Sequence, residues 1–241
     1  MSDHYPPIGI LKTCFTEKFG VPRQSLMMKE AHGVLKLNSD SDFHAALNHL
    51  SEFSHIWIIF RFHKSDEKKW HPIIDPPRLG IDKQIGVFAS RSPLRPNPIG
   101  LSAVRLERID FEATGGIELH VSGVDILDGT PVLDLKPYLP FADRIDDANS
   151  GWAVGEIERY PVNFSKESLS VIEKASQDHP RIKQLIQEML EMDPRPTSQK
   201  RNSPIEASET EGMKFAFRVL GLDVQWQVRE KAFHVFAVVP F

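Results

Sequence analysis

A chain of 241 residues with 41% hydrophobic content can bury a sizeable core, as one large domain or as a medium and a small one. Its formal net charge of −4 excludes nucleic-acid binding driven by overall charge, so such a partner would have to meet a local basic patch. The single cysteine, Cys14, excludes an intramolecular disulfide and a thiolate zinc cluster, which fits a reducing cytoplasmic setting; the amino terminus reads as carrying no export signal, and no run approaches the roughly 20 apolar residues of a membrane span.

Residues 8–13 read as a strand, followed by the loop FTEKFGVPRQS with its Gly20 and Pro22, and 33–37 as a second strand. Phe43, Leu47 and Leu50 follow helical spacing within 41–53, with Ser41 as N-cap. HIWIIFRF, 55–62, is a continuous apolar run of strand length and is expected as a buried strand. DPPRLG, 75–80, reads as a stiff loop and 85–89 as a strand. Strands are expected at 101–109, at 117–124 after Gly115 and Gly116, and at 132–135 after the Asp128–Gly129 turn. Many short strands and one helix argue for a barrel or sandwich.

Composition changes after about Tyr160. Ile182, Leu185, Ile186, Met189 and Leu190 line one face of a helix that Asp193–Pro194 ends. The polar stretch 197–212 is expected to be mobile, with little to bury, before strands at 214–220, 223–228 and 233–239. The division is therefore a mainly β domain over 1–160 and a small α+β domain over 161–241.

Within VFASRSPLRPNPIGLSAVRL, 87–106, Pro93, Pro96 and Pro98 cannot all lie in a sheet ladder, because proline removes a donor and fixes φ. The segment is a rigid connection that sets the directions of Arg91, Ser92, Arg95 and Asn97. From Pro76 to Arg108 the basic residues Arg78, Lys83, Arg91, Arg95, Arg105 and Arg108 outweigh Asp82 and Glu107, which makes either a solvated basic face or a phosphate-facing one. No GxGxxG, P-loop, HExxH or GxSxG is present, and the histidines lack metal-ligand spacing, so no metal is expected. Pro22–Gln24, the proline-rich loop and VDILDGTPVLDLKPYLPF each place polar groups on stiff backbone. Alone, each reads as a structural corner made by its prolines, where a neighbouring arginine often caps carbonyls; together they describe a rigid, partly basic pocket for a small molecule or RNA.

FGVPRQ, FSHIWIIFRFH, PPRLG, GVFASRSPLRPNPIGLS, DGTPVLDLKPYLPF, DPRP and HVFAVVP, in that order, closely resemble the TsaA-like (TrmO) family of tRNA methyltransferases over nearly the whole chain. The resemblance implies a β-barrel that binds S-adenosylmethionine, a homodimer, and methylation of the exocyclic nitrogen of threonylcarbamoyladenosine at position 37, beside the anticodon of threonine tRNA. It places cofactor contacts at Pro22, Arg23, Gln24, His63, Lys64, Arg91, Leu101, Asp128, Gly129, Thr130 and Pro131, and RNA contacts at Arg95, Asn97 and Arg195. Lys64 stands where a relative of the family has glutamine, and the linker 198–211 is longer than the resemblance leads one to expect. Asp125, Asp128, Asp134 and His63 are candidates for taking the proton from the acceptor nitrogen, and Tyr138 for orienting the base. The competing reading is a non-catalytic tRNA- or RNA-binding module built on the basic patch.

Overall fold

The computed structural model describes residues 5–18, 20–65, 69–75, 84–154 and 157–241. The chain divides into two units, one of Met1–Lys12, Gly33–Ser122 and Gly129–Gly155, the other of Thr13–His32, Gly123–Asp128 and Glu156–Phe241.

The first unit is built on a closed barrel. Its strands are β1 (Gly9–Thr13), β2 (His32–Leu37), β3 (His55–Arg61), β6 (Ile99–Asp110), β7 (Glu118–Ser122) and β8 (Thr130–Pro137), ordered β1-β2-β7-β6-β3-β8. A short pair, β4 (Ile73–Ile74) and β5 (Ile85–Gly86), stands apart from it. Side chains alternate across each strand, so Leu11, Leu35, Ile56, Ile58, Phe60, Val104, Leu119, Val121 and Val132 meet inside. β3 was expected to be buried on both faces, yet only one face is; Trp57 and Ile59 point outward and are half-buried. Phe60 stands opposite Gly100, where a Cβ would press into the phenyl ring, so a side chain there would force the ring to move.

Two expected elements of this unit differ. The helix at 41–53 shrinks to α1 (Phe43–Ala46) and a 3-10 turn at Leu50–Glu52, because His49 takes a left-handed φ of 63° between them; Asp42, not Ser41, occupies the cap. The strand at 85–89 stops at Gly86, since the Ser90 hydroxyl donates to Val87 O at 2.7 Å and turns Val87–Ala89 into a 3-10 turn. The expected loop at 75–80 lies outside the described residues from Pro76 onward, as do Arg78, Asp82 and Lys83 of the basic patch. A short α2 (Pro140–Asp143) follows β8.

The second unit centres on a four-stranded sheet, β10-β11-β12-β9, of β9 (Val162–Phe164), β10 (Lys214–Val219), β11 (Leu222–Arg229) and β12 (Ala232–Pro240). Trp226, Phe233, Val224 and Val228 are fully buried in it. α3 (Lys166–Ala175), capped by the Ser165 hydroxyl, and α4 (Ile182–Glu191) bury their apolar faces; all five expected α4 positions are inside. The stretch expected to be mobile instead forms α5 (Thr197–Asn202) and a 3-10 turn at Ser208–Thr210, and buries Ile205 and Thr210. Its anchor is polar: Arg195 Nη1 donates to Ser203 O at 2.7 Å and Thr210 Oγ1 to Pro204 O at 2.7 Å.

Candidate functional site

The proline-rich loop is held by hydrogen bonds as well as by its prolines. Arg95 donates from Nε to Ser92 O at 2.8 Å and from Nη2 to Ser90 O at 2.6 Å and Val87 O at 3.4 Å. Ser92 N–H donates to the Ser90 hydroxyl and Leu94 N–H to the Ser92 hydroxyl, both at 3.2 Å. From outside the loop, Val87 N–H reaches Pro72 O, His71 N–H reaches Leu94 O, and Trp152 Nε1 donates to Ala89 O at 2.8 Å. Arg95, expected toward RNA, thus directs its guanidinium at the carbonyls of its own loop. Arg91 and Asn97 are exposed at the loop's surface.

At the barrel rim, His63 Nδ1 lies 3.2 Å from Thr130 Oγ1. Gly129 holds φ at 76°, and no atom lies within 4 Å of a Cβ built there, so its backbone stays open to a ligand. His63 and Thr130 therefore come together at the start of β8, with Gly129 and Pro131 on either side of Thr130, and Lys64 is exposed beside His63. Leu101 is 52% exposed on the outer face, in register with Ile59, which pairs in turn with Asp134. Asp134 is ion-paired with Lys136 at 3.0 Å, and Tyr138 packs against Trp57 at 5.6 Å and His55 at 6.4 Å. Ile99 and Leu101 on β6 and Trp57 and Ile59 on β3 form an apolar stripe on the outer face; for Trp57 and Ile59, expected inside a buried strand, the signal was there in HIWIIFRF, apolar at odd and even positions alike.

The described part of the basic patch is partly neutralised. Arg105 faces Glu107 at 3.6 Å and Arg108 faces Asp110 at 3.0 Å; that hydrogen bond is the main reason the Asp110 carboxyl sits below its ordinary value.

Pro22, Arg23, Gln24, Asp125 and Asp128 belong to the second unit. Pro22 is buried and Arg23 exposed, and Asp128 Oδ1 accepts from Thr13 N–H at 3.0 Å. Burial pushes the Lys200 ammonium down and Arg23 and Arg195 push the same way, against the Asp193 carboxylate. Arg195, expected on RNA, is 1% exposed in its side chain and makes a two-pronged pair with Asp193, 2.8 Å on each prong. A hollow of about 520 Å³ in this unit, lined by Cys14, Glu17, Arg218 and Phe241 among others, contains none of the expected site residues. Among the described residues no His, Cys, Asp and Glu group could hold a metal ion, and no helix is long and apolar enough to cross a membrane.

Comparison with known proteins gives a consistent picture. Residues 10–144 match the tRNA-methyltransferase O N-terminal domain and residues 157–241 the TrmO C-terminal domain. The chain is 38% identical over 240 residues to a tRNA (adenine(37)-N6)-methyltransferase of Escherichia coli, covering 99% of each. It is 41% identical over 230 residues to a putative S-adenosylmethionine-dependent methyltransferase of Pseudomonas aeruginosa, covering 94% of this chain and 93% of that one. The crystal structure of TrmO from Pseudomonas aeruginosa superposes with a TM-score of 0.78 at 34% identity, covering 99% of both chains.

Proposed function

The chain belongs to the tRNA-methyltransferase O family, and from that premise we propose its full reaction: transfer of a methyl group from S-adenosylmethionine to the exocyclic nitrogen of threonylcarbamoyladenosine at position 37 of threonine tRNA. It is an S-adenosylmethionine-dependent tRNA (adenine(37)-N6)-methyltransferase; the observation that carries this is 38% identity along 99% of both chains to an enzyme of that activity. Threonine tRNA, its threonylcarbamoyl group and a cytoplasmic location are the finer reading.

The residues of the barrel unit fit such a donor. S-adenosylmethionine, when bound, supplies a sulfonium-activated methyl group. Arg91 on the clamped loop offers a cation for its carboxylate, the open backbone at Gly129 admits close approach, and Leu101 supplies an apolar contact. The Thr130 hydroxyl and His63 orient each other at the same rim. Stiff backbone under these groups favours the in-line approach that methyl transfer needs. Within this unit His63 and Asp134 are the groups proposed to accept the departing proton; in the single variants His63→Gln and Asp134→Asn, the true base is the one whose loss lowers kcat by about 10²–10⁴-fold and abolishes the acid limb of the pH profile.

The apolar stripe of Trp57, Ile59 and Ile99 supports a homodimer, because a second copy would remove from water the exposed Ile99 and the outward faces of the half-buried Trp57 and Ile59.

The test is incorporation of labelled methyl from S-adenosylmethionine into threonine tRNA with and without the threonylcarbamoyl group. Incorporation only into the modified tRNA is expected. Equal labelling of both, or labelling of neither, defeats the proposed substrate.

A further inference from the structure

Phe88 presents an unusual combination: its ring is 79% exposed, while the residues on either side of it in the chain are held by hydrogen bonds. Val87 O, before it, accepts from Ser90 N–H, from the Ser90 hydroxyl and from Arg95; Ala89 O, after it, accepts from the Trp152 indole; Ser90 O accepts from Arg95 at 2.6 Å. An exposed phenyl gains nothing from folding, and an apolar ring on a mobile loop would collapse onto the nearest surface. Here the turn keeps the ring out in water.

Resting on the tRNA methyltransferase reading, we infer that Phe88 is a stacking platform for an unpaired base of the substrate's anticodon loop. Single-stranded RNA is recognised by aromatic rings that take up splayed bases, since every base offers a π-face. A platform must be ordered before the base arrives, or ordering it consumes part of the binding energy. The clamped turn meets that requirement. Its position fits as well: Phe88 lies three residues before Arg91, on the same rigid loop that we assign to the methyl donor, so a base held there is a neighbour of the reacting adenosine. Phe88 is thus a positioning residue for substrate and takes no part in the chemistry.

The experiment compares wild type with Phe88→Ala, Phe88→Leu and Phe88→Tyr, measuring the Kd and KM for threonylcarbamoylated tRNA, the Kd for S-adenosylmethionine, and the mass in solution. The alanine and leucine variants are expected to weaken tRNA binding about tenfold, with the tyrosine variant within about twofold of wild type. Donor affinity and mass stay unchanged. Unaltered tRNA affinity in Phe88→Ala overturns the inference, as does a leucine variant equal to wild type, which would mean a plain apolar contact. A lower mass or weaker donor binding also overturns it, by assigning the ring to a second copy or to the donor. If wild type itself fails to methylate the tRNA, the proposed function falls instead, and the two failures are told apart.

Discussion

Arg195 stands in the sequence as a cation of the DPRP motif, and its surroundings decide what it does. Its guanidinium grips the Asp193 carboxylate, donates to Ser203 O, and lies between the rings of Phe215 at 5.4 Å and Phe233 at 5.9 Å. Arg195→Met leaves Asp193 buried with only the longer Lys200 contact at 3.7 Å in place of the two-pronged pair; breaking such a buried pair costs up to about 3–5 kcal/mol, so a clear drop in urea midpoint is expected in equilibrium unfolding. Arg91 is exposed on a loop whose turn Arg95 helps to hold. Arg91→Ala is expected to raise the donor Kd at least about tenfold, the value of a hydrogen-bonded charge; calorimetry reads this, and an unchanged Kd removes Arg91 from the site. Cys14 illustrates titration: burial, chiefly, pushes its thiol up from 9.0 to about 12. Between those values the unfolded chain releases a proton that the folded chain keeps, so this contribution to stability is whole below pH 9 and is lost as pH rises toward 12. Tyr160, raised by burial and by Glu158, adds slope of the same sign, so the reading is the difference between wild type and Cys14→Ala in unfolding from about pH 8 to 11, the variant being the flatter.

At the scale of elements, α4 was legible because periodicity reports burial directly, and the four buried positions of β1 and β8 alternate along their strands, whereas β3, apolar at odd and even positions alike, disclosed its extent but not which face it buries. Gly100 was not legible: that a glycine is favoured there follows only from the register that sets it opposite Phe60. Gly100→Ala is expected to cost about 1–3 kcal/mol through overpacking, read as a lower thermal midpoint with barrel signals otherwise native. The proline-rich loop was half legible. Its stiffness follows from three prolines, but whether Arg95 faces outward or caps carbonyls depends on where the Val87, Ser90 and Ser92 carbonyls point, which spacing does not encode. The 197–212 stretch misled for a related reason, since its order comes largely from Arg195 donating to Ser203 O and the Thr210 hydroxyl donating to Pro204 O rather than from any apolar periodicity.

For the molecule as a whole, family membership was readable from long ordered motifs, while the outward apolar face of the barrel was not, because an apolar residue pointing outward and one facing a core look alike in sequence. β3 is the instance: Ile58 is fully buried, while its neighbour Ile59 points outward. Ile99→Asp places a charge in the apolar stripe and is expected to shift sedimentation from dimer to monomer with the barrel intact; wild type sedimenting as a monomer contradicts the homodimer outright. The two units also differ in how their sheets end. A closed barrel has no free rim of backbone amides, whereas β10 is the terminal strand of an open sheet and turns Lys214, Ala216 and Arg218 to solvent. Two cations spaced four residues apart along that strand oppose the docking of an identical strand beside it, so removing both charges would leave a template for fibrillar growth, and the hazard of self-association resides in the carboxy-terminal sheet.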